Sequence, residues 1–263
     1  MRIEAGRYAV RLAETDDDVA AAQRLRYRVF VEEMGAAATP EQRALRREWD
    51  RFDSHFDHLI LEDRDARPAE PMDRVAGVYR IMTKDMARRG LGFYGATEYD
   101  LAKLMDDPRE ALELGRSCVA AEHRGGPGMH LLWNGLANYV LDRDIAILFG
   151  VASFHGADPA SLAQPLSHLH HHHLAPEDLR VRALPEAFQR MDLLPPEQVS
   201  RAEALRATPA LIKAYLRLGG VVGEGAFVDR GFNTVDVCLL MDTARMVERY
   251  RAFYSRGKIG AAA

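Results

Sequence analysis

The sequence has little that would mark a secreted, membrane-spanning or nucleic-acid-binding protein. Only two of its 263 residues are cysteines, Cys118 and Cys238, and their separation gives neither a CxxC nor a zinc spacing. They read as two buried free thiols, and a disulfide is not expected at this composition. Charge of one sign is also lacking: 35 Lys and Arg stand against 39 Asp and Glu, for a net charge of -4. Without a basic field to neutralise phosphates, nucleic acid is set aside as a partner. The longest strongly apolar run, residues 145–152, falls far short of the roughly 20 residues a spanning helix needs. The opening MRIEAGRYAV is polar and mixed, which does not read as a signal peptide. The expectation is a cytoplasmic protein, bound at most peripherally at the inner membrane.

What is present is an ordinary globular balance, 48% apolar and 28% charged. The length fits one domain over 1–263, with the proline-rich stretch 155–207 read as a helical insertion or lid. Residues 8–14 alternate like a half-buried strand. Thr15 caps a helix with Asp16, Asp17 and Asp18 in its first turn; the helix is expected to run to Met34 and end at Gly35. Residues 59–61 and 75–82 read as strands, 83–110 as irregular, and 112–121 as another strand. A glycine-rich turn at 123–128, a helix at 129–141 and an apolar strand at 145–154 follow. That strand–turn–helix–strand order predicts a βαβ crossover and an α/β fold with a central mixed sheet flanked by helices. Residues 225–229 and 234–242 read as an antiparallel pair, and 243–257 as a last helix carrying Tyr250, Phe253 and Tyr254.

Four constellations carry chemistry. Arg124, Gly125, Gly126, Pro127 and Gly128 lie between a strand and a helix. Glycines there let a ligand approach the backbone, and a helix start offers N–H groups to a phosphate or a pantetheine amide; a tight turn without a ligand is the other reading. Trp49-Asp50-x-x-Asp53 places two carboxylates where they suit a cationic amine, or simply open a solvated loop. A metal site drawn from Asp53, His55, Asp57 and His58 lacks a defined ligand geometry, and no metal is expected. Glu113, Gly115 and Ser117 would share one face of a strand and Leu114 and Arg116 the other. Charges on a central strand are costly unless paired or functional. Lastly, His168 and His172 would share a helical face, although the consecutive histidines 170–173 cannot all converge.

Leu25-Arg26-Tyr27-Arg28-Val29-Phe30, Glu48-Trp49-Asp50-Arg51-Phe52-Asp53, Gly77-Val78-Tyr79-Arg80 and Glu113-Leu114-Gly115-Arg116, in this order, resemble the successive motifs of acyl-homoserine-lactone synthases. The later stretches 150–159, 166–173 and 209–220 are similar instead to bacterial ornithine N-acyltransferases, and that resemblance covers nearly the whole chain. It implies a GNAT-type fold and transfer of a 3-hydroxyacyl group from acyl-carrier protein to the α-amine of L-ornithine. A lactone-synthase-like enzyme, or an N-acyltransferase acting on another amine, is the alternative. By the resemblance, Glu113 is the base, and Asp50 and Asp53 hold cationic groups of the substrate. Arg26, Arg80 and Arg116 organise these carboxylates or bind the ornithine carboxylate, and Trp49 and Phe30 line the substrate site. The strands 112–121 and 145–154 would admit the pantetheine arm beside Val119, Ala121, Arg124, Gly125, Gly126 and Gly128. No cofactor is implied beyond the phosphopantetheine thioester of the donor. Arg43, Arg46 and Arg47 would receive the acidic carrier. The chain departs from the patterns at Gly115, where the synthases have serine, and at Pro127 and Met129, where acetyl-CoA loops have small residues; this suits a different acyl donor.

Overall fold

The computed structural model describes residues 1–66 and 74–245. In chain order, β1 (Arg2–Ala5), β2 (Tyr8–Leu12), α1 (Asp16–Arg26), α2 (Pro40–Leu45), β3 (Asp57–Asp63) and β4 (Val75–Thr83) come first. Then follow α3 (Lys84–Arg89), β5 (Tyr99–Asp100), α4 (Ala102–Asp106), β6 (Ala111–Val119), α5 (Gly128–Asp142) and β7 (Ile147–His155). The last third holds α6 (Ala163–His173), β8 (Arg182–Ala183), β9 (Phe188–Gln189), α7 (Arg201–Ala207), α8 (Ala210–Arg217), β10 (Val221–Val222), β11 (Ala226–Asp229) and β12 (Thr234–Asp242). The described residues gather into two compact units: 1–82 with 114–144, and 83–113 with 145–245. The division falls inside β6, between Glu113 and Leu114.

In the first unit β1, β2, β3 and β4 form an antiparallel ladder, with the later part of β6 beside β4. Strand alternation sorts the side chains to the two faces. On one face Ile60 and Val78 meet Ala21, Ala22 and Leu25 of α1, with Val29, Cys118 and Ala120 completing the cluster and Phe30 packed against it. On the other face α5 lies so close that a Cβ on Gly77 would stand 2.8 Å from Leu132, and one on Gly128 2.8 Å from Leu61. α1 begins in a full capping box: the Thr15 hydroxyl accepts the Asp18 N–H, and the Asp18 carboxylate accepts that of Thr15. The expected single helix is two pieces, because the chain continues past Arg26 as a π-helical stretch, Tyr27–Glu33. It stops at Gly35, whose φ of +79° only glycine adopts readily. β1 was not expected; it pairs with β2 across a tight turn at Gly6 and Arg7.

In the second unit the first three residues of β6 run parallel to β7, with Glu113 opposite Phe149. The predicted crossover is thus present. β7 pairs antiparallel with β12 along its whole length, and β11 and β12 form the expected hairpin. β9 and β10 extend this arm at β11 and β12. Residues 83–110, expected to be irregular, contain α3 and α4. Residues 155–207 hold the short helices α6 and α7 and the two-residue strands β8 and β9. Of the expected last helix, 243–245 form a single tight turn, and 246–257, with Tyr250, Phe253 and Tyr254, lie outside the described residues.

Candidate active site

The first unit brings five of the sequence-selected residues into one charged network. Arg26, on the inner side of α1, is fully buried; its Nε donates to Glu48 at 2.5 Å and its Nη1 to Asp53 at 2.9 Å. Arg80, from the middle of β4, donates through Nη1 to both Asp53 and Asp50 at 2.7 Å. Its guanidinium also stacks 4.5 Å from the centre of the Phe56 ring. Arg116 completes the chain of charges, with Nη2 3.2 Å from Asp50 and Nε 3.4 Å from Glu48. Three guanidinium and three carboxylate groups therefore alternate, the arrangement that lets buried charges satisfy one another.

Burial grades the network. Arg26 and Arg80 side chains are 0% and 1% exposed and Asp53 7%, whereas Asp50 is 22% and Arg116 14% exposed. Burial alone would raise the Asp53 pKa, but Arg26 and Arg80 outweigh it and hold this carboxyl at about 2. Asp50 is held low by Arg80 and Arg116 against the same burial. Both carboxylates are ionised at neutral pH, and Asp50 is the one that meets solvent.

Gln23 and Glu48 were given no role from the sequence, and His58 was weighed there only as a metal ligand. Gln23 donates to Asp53 at 2.7 Å and accepts from Arg47. It sits one turn before Arg26 on the inner face of α1, and a polar residue there was the signal available. Glu48, in the string Glu48-Trp49-Asp50-Arg51-Phe52-Asp53, bridges Arg26 and Arg116. His58 contacts the Asp53 carbonyl at 3.0 Å, and burial lowers its pKa. Phe30 is half-buried against the α1 cluster, and Trp49 is half-buried with its carbonyl accepting from Gln42 at 2.8 Å.

The strand alternation expected over 113–117 does not hold. Arg116 has φ of +48°, a left-handed residue inside β6. Such a residue breaks the two-residue period as a bulge does and re-aims its side chain. Glu113, in the second unit, is buried, and its carboxylate accepts the backbone N–H groups of Tyr94 at 2.8 Å and Gly95 at 2.5 Å.

The glycine turn belongs to the first unit. Val119 ends β6, and Ala121 opens a short tight turn, Ala121–His123. Arg124 donates to the Val119 carbonyl at 2.9 Å and forms a two-armed pair with Glu33. Gly125 has φ of +75°, Gly126 follows, and Gly128 begins α5, whose first intrahelical bond runs from Leu131 to Pro127 at 3.0 Å. The N–H groups ahead of that bond have no acceptor inside the helix.

Neither cysteine is a thiolate nucleophile: burial pushes Cys118 up to about 12 and Cys238 higher still. Asp53, His55, Asp57 and His58 do not form a metal-sized group among the described residues, since Asp53 is held by arginines and Asp57 accepts from Tyr139. His168 and His172 do share a helical face, with ring centres 4.8 Å apart, and burial lowers the pKa of His168.

A GNAT acetyltransferase domain model matches residues 25–134, which span the charged network and the glycine turn. The fold is similar to that of an N-acyl amino acid synthase from uncultured soil microbes, with a TM-score of 0.51 over 90% of this chain and 92% of that one at 11% identity. The domain match and the fold together define a GNAT-type fold. The L-ornithine N(alpha)-acyltransferase of Rhodobacter capsulatus is 57% identical over 95% of each chain. That of Brucella abortus is 44% identical over 95% of this chain and 89% of its own. The chain belongs to the L-ornithine N(alpha)-acyltransferase family.

Proposed function

We propose that this protein transfers a 3-hydroxyacyl group from the phosphopantetheine thioester of acyl-carrier protein to the α-amine of L-ornithine, giving an N-acyl-ornithine. The observation that carries the reading is the buried network that ends in the solvent-facing Asp50, in a chain 57% identical to a named ornithine acyltransferase. The amine nitrogen attacks the thioester carbonyl carbon, the C–S bond breaks, and the pantetheine sulfur leaves as a thiol with a proton given up by the amine. An α-amine titrates near 8, against about 10.4 for a side-chain amine, so the α position is the easier one to deprotonate at neutral pH.

Asp50 holds the cationic end of the acceptor. Asp53, Arg26 and Arg80 are positioning residues, because their side chains are occupied by one another; of the two roles open to these arginines, ordering the carboxylates is the one their burial favours. Arg116, partly exposed, orients Asp50. Glu113 takes the proton, directly or through water, with its carboxylate fixed by the two N–H groups it accepts. The start of α5 and the glycine turn receive the pantetheine arm, and backbone N–H groups near Val119 and Ala121 serve the oxyanion. The implied product is amphiphilic, which favours release at a membrane surface; no helix among the described residues is long and apolar enough to cross one.

The deciding experiment is thiol release from 3-hydroxyacyl-carrier protein with and without L-ornithine, with the product weighed by mass spectrometry. Ornithine-dependent release and an N-acyl-ornithine mass are expected. Release that depends on S-adenosylmethionine or another amine would overturn the acceptor. With this assay in hand, Glu113→Gln is expected to lower kcat by about 100-fold or more with the fold intact by circular dichroism; near-normal turnover would remove Glu113 as the base.

A further inference from the structure

The glycine turn of the first unit has little to hold it from outside. Of residues 121–127, all but His123 are exposed. The residues on either side of His123 pair with the π-helical stretch Tyr27–Glu33: Glu122 stands 3.6 Å from Arg28, and Arg124 pairs with Glu33. These four side chains are 41% exposed or more, and ion pairs in so much water hold a backbone only weakly. Gly125 and Gly126 have no side chain to hold at all, and glycine leaves the backbone its widest freedom. His123 is therefore the one residue of the turn with its side chain drawn inward before α5 begins at Gly128.

Beneath it lie Tyr8 and Asp63, which face each other directly across β2 and β3. The Tyr8 hydroxyl is 2.9 Å from His123 Nδ1, and Asp63 Oδ2 is 3.9 Å from Nε2. The Tyr8 and His123 rings meet edge-on, with centres 5.7 Å apart. Tyr8 and Asp63 are 7% and 2% exposed, and the His123 side chain 12%. Asp63 is fixed in turn, accepting from Arg7 Nε at 2.9 Å and from the Asp65 N–H at 3.1 Å. The Arg7 guanidinium holds its carboxyl below the ordinary range, so Asp63 is ionised at neutral pH. A carboxylate on the Nε2 side favours the proton there, which leaves Nδ1 to accept from the Tyr8 hydroxyl. The imidazole is thus oriented from both edges. Burying a carboxylate, an imidazole and a phenol costs more than filling the same space with apolar side chains. What such a satisfied set supplies in return is a single fixed direction.

We propose that His123 is a positioning residue for the acyl donor: held by Tyr8 and Asp63, it fixes the backbone of residues 124–128 in the shape that receives the pantetheine arm. The inference rests on the reading that this turn receives the donor. The His123 carbonyl lies under the start of α5, where a Cβ on Gly128 would stand 3.8 Å from it, so a shift of His123 shifts the helix start as well. His123 acts through the turn and not on the reacting atoms, and its effect therefore belongs to donor affinity.

The test is steady-state kinetics on the full chain with 3-hydroxyacyl-carrier protein and L-ornithine, each varied in turn. His123→Ala is expected to raise KM for the carrier donor about 10-fold, with KM for ornithine and kcat within about twofold of the wild type. Tyr8→Phe removes one hydroxyl and keeps the ring; it should move the donor KM a few-fold the same way, and it carries the test if His123→Ala does not fold. His123→Asn, whose side-chain amide still accepts from the Tyr8 hydroxyl, should regain most of the donor affinity. Adding Tyr8→Phe to His123→Ala should change nothing further, because the two act through one contact. A donor KM that stays at the wild-type value in both single variants overturns the assignment. So does a fall in kcat with both KM values rising together, or a lower melting temperature with unchanged KM, the results a merely structural contact would give. A wild type that releases no thiol from the carrier thioester in the presence of ornithine overturns the donor reading itself, and the assignment with it.

Discussion

Asp53 receives hydrogen bonds from Arg26, Arg80 and Gln23 while losing nearly all contact with water. Its pKa of about 2 lies below the value of about 3.9 expected for an unfolded chain. A depressed carboxylate contributes stability above the unfolded pKa and loses it as pH falls through the folded one. Between about pH 4 and pH 2, therefore, this one group should cost the fold about 2 kcal/mol. Urea unfolding across that window is expected to show the loss, and in Asp53→Asn the acid-dependent part should shrink while stability at pH 7 falls by about 3–5 kcal/mol, because two guanidinium groups lose a partner. An unchanged acid slope in the variant would mean that other carboxylates, such as Asp18 beside Arg11, dominate the titration. The acidic residues were legible in the sequence because Trp49-Asp50-x-x-Asp53 sits in a recognisable string. What each one does was not legible: Asp50 and Asp53 are the same residue type three positions apart, and only burial separates a solvent-facing contact from a saturated anchor.

Helix and strand positions came through where a local rule decides them. The Thr15 box, the Gly35 stop, the crossover from β6 through α5 to β7 and the β11–β12 hairpin all lie where caps, glycines and periodicity put them. Two features did not come through, and both depend on tertiary contact. The π-helical stretch after Arg26 has no composition of its own, and wider turns of this kind recur at functional sites. The positive φ of Arg116 contradicts the strand pattern around it, and the network with Glu48 and Asp50 is what holds it there. Close packing of α5 is equally invisible to a pattern of apolar residues. A Cβ on Gly135 would collide with the Val10 side chain and press on Leu59 at 3.4 Å. Gly135→Ala is therefore expected to destabilise the protein by about 1–3 kcal/mol, even though alanine is the better helix former by up to about 1 kcal/mol. A denaturant midpoint that rises in this variant would show that α5 can lift off β2 and β3 at no cost.

At the scale of the whole molecule, two properties bear on how a donor arrives. The division into compact units falls inside a single strand, with no linker and no change in composition to announce it. Charge is similarly concealed: the net value of -4 gives no hint of attraction to an acidic carrier protein, and on average opposes it. With the proposed carrier-protein donor, binding then depends on a local basic patch. Arg43 and Arg46 lie exposed at and after the end of α2, beside Leu45, which is 52% exposed. Arg47 is drawn inward to Gln23, and Arg46 pairs with Glu32, which leaves Arg43 as the residue of the three whose side chain makes neither an ion pair nor a hydrogen bond among the described residues. If this patch meets the carrier, Arg43→Glu should raise KM for acyl-carrier protein several-fold and leave kcat within about twofold. Raising the salt from 50 to 500 mM should raise the wild-type KM in the same direction, because exposed charges at the edge of an interface act mainly on encounter and are screened over about 10 Å. A short acyl-pantetheine thioester, which carries the reacting group without the protein, separates the two parts of the donor. Its KM should not change in Arg43→Glu, and a parallel rise would place the arginine in the pantetheine path rather than on a docking surface.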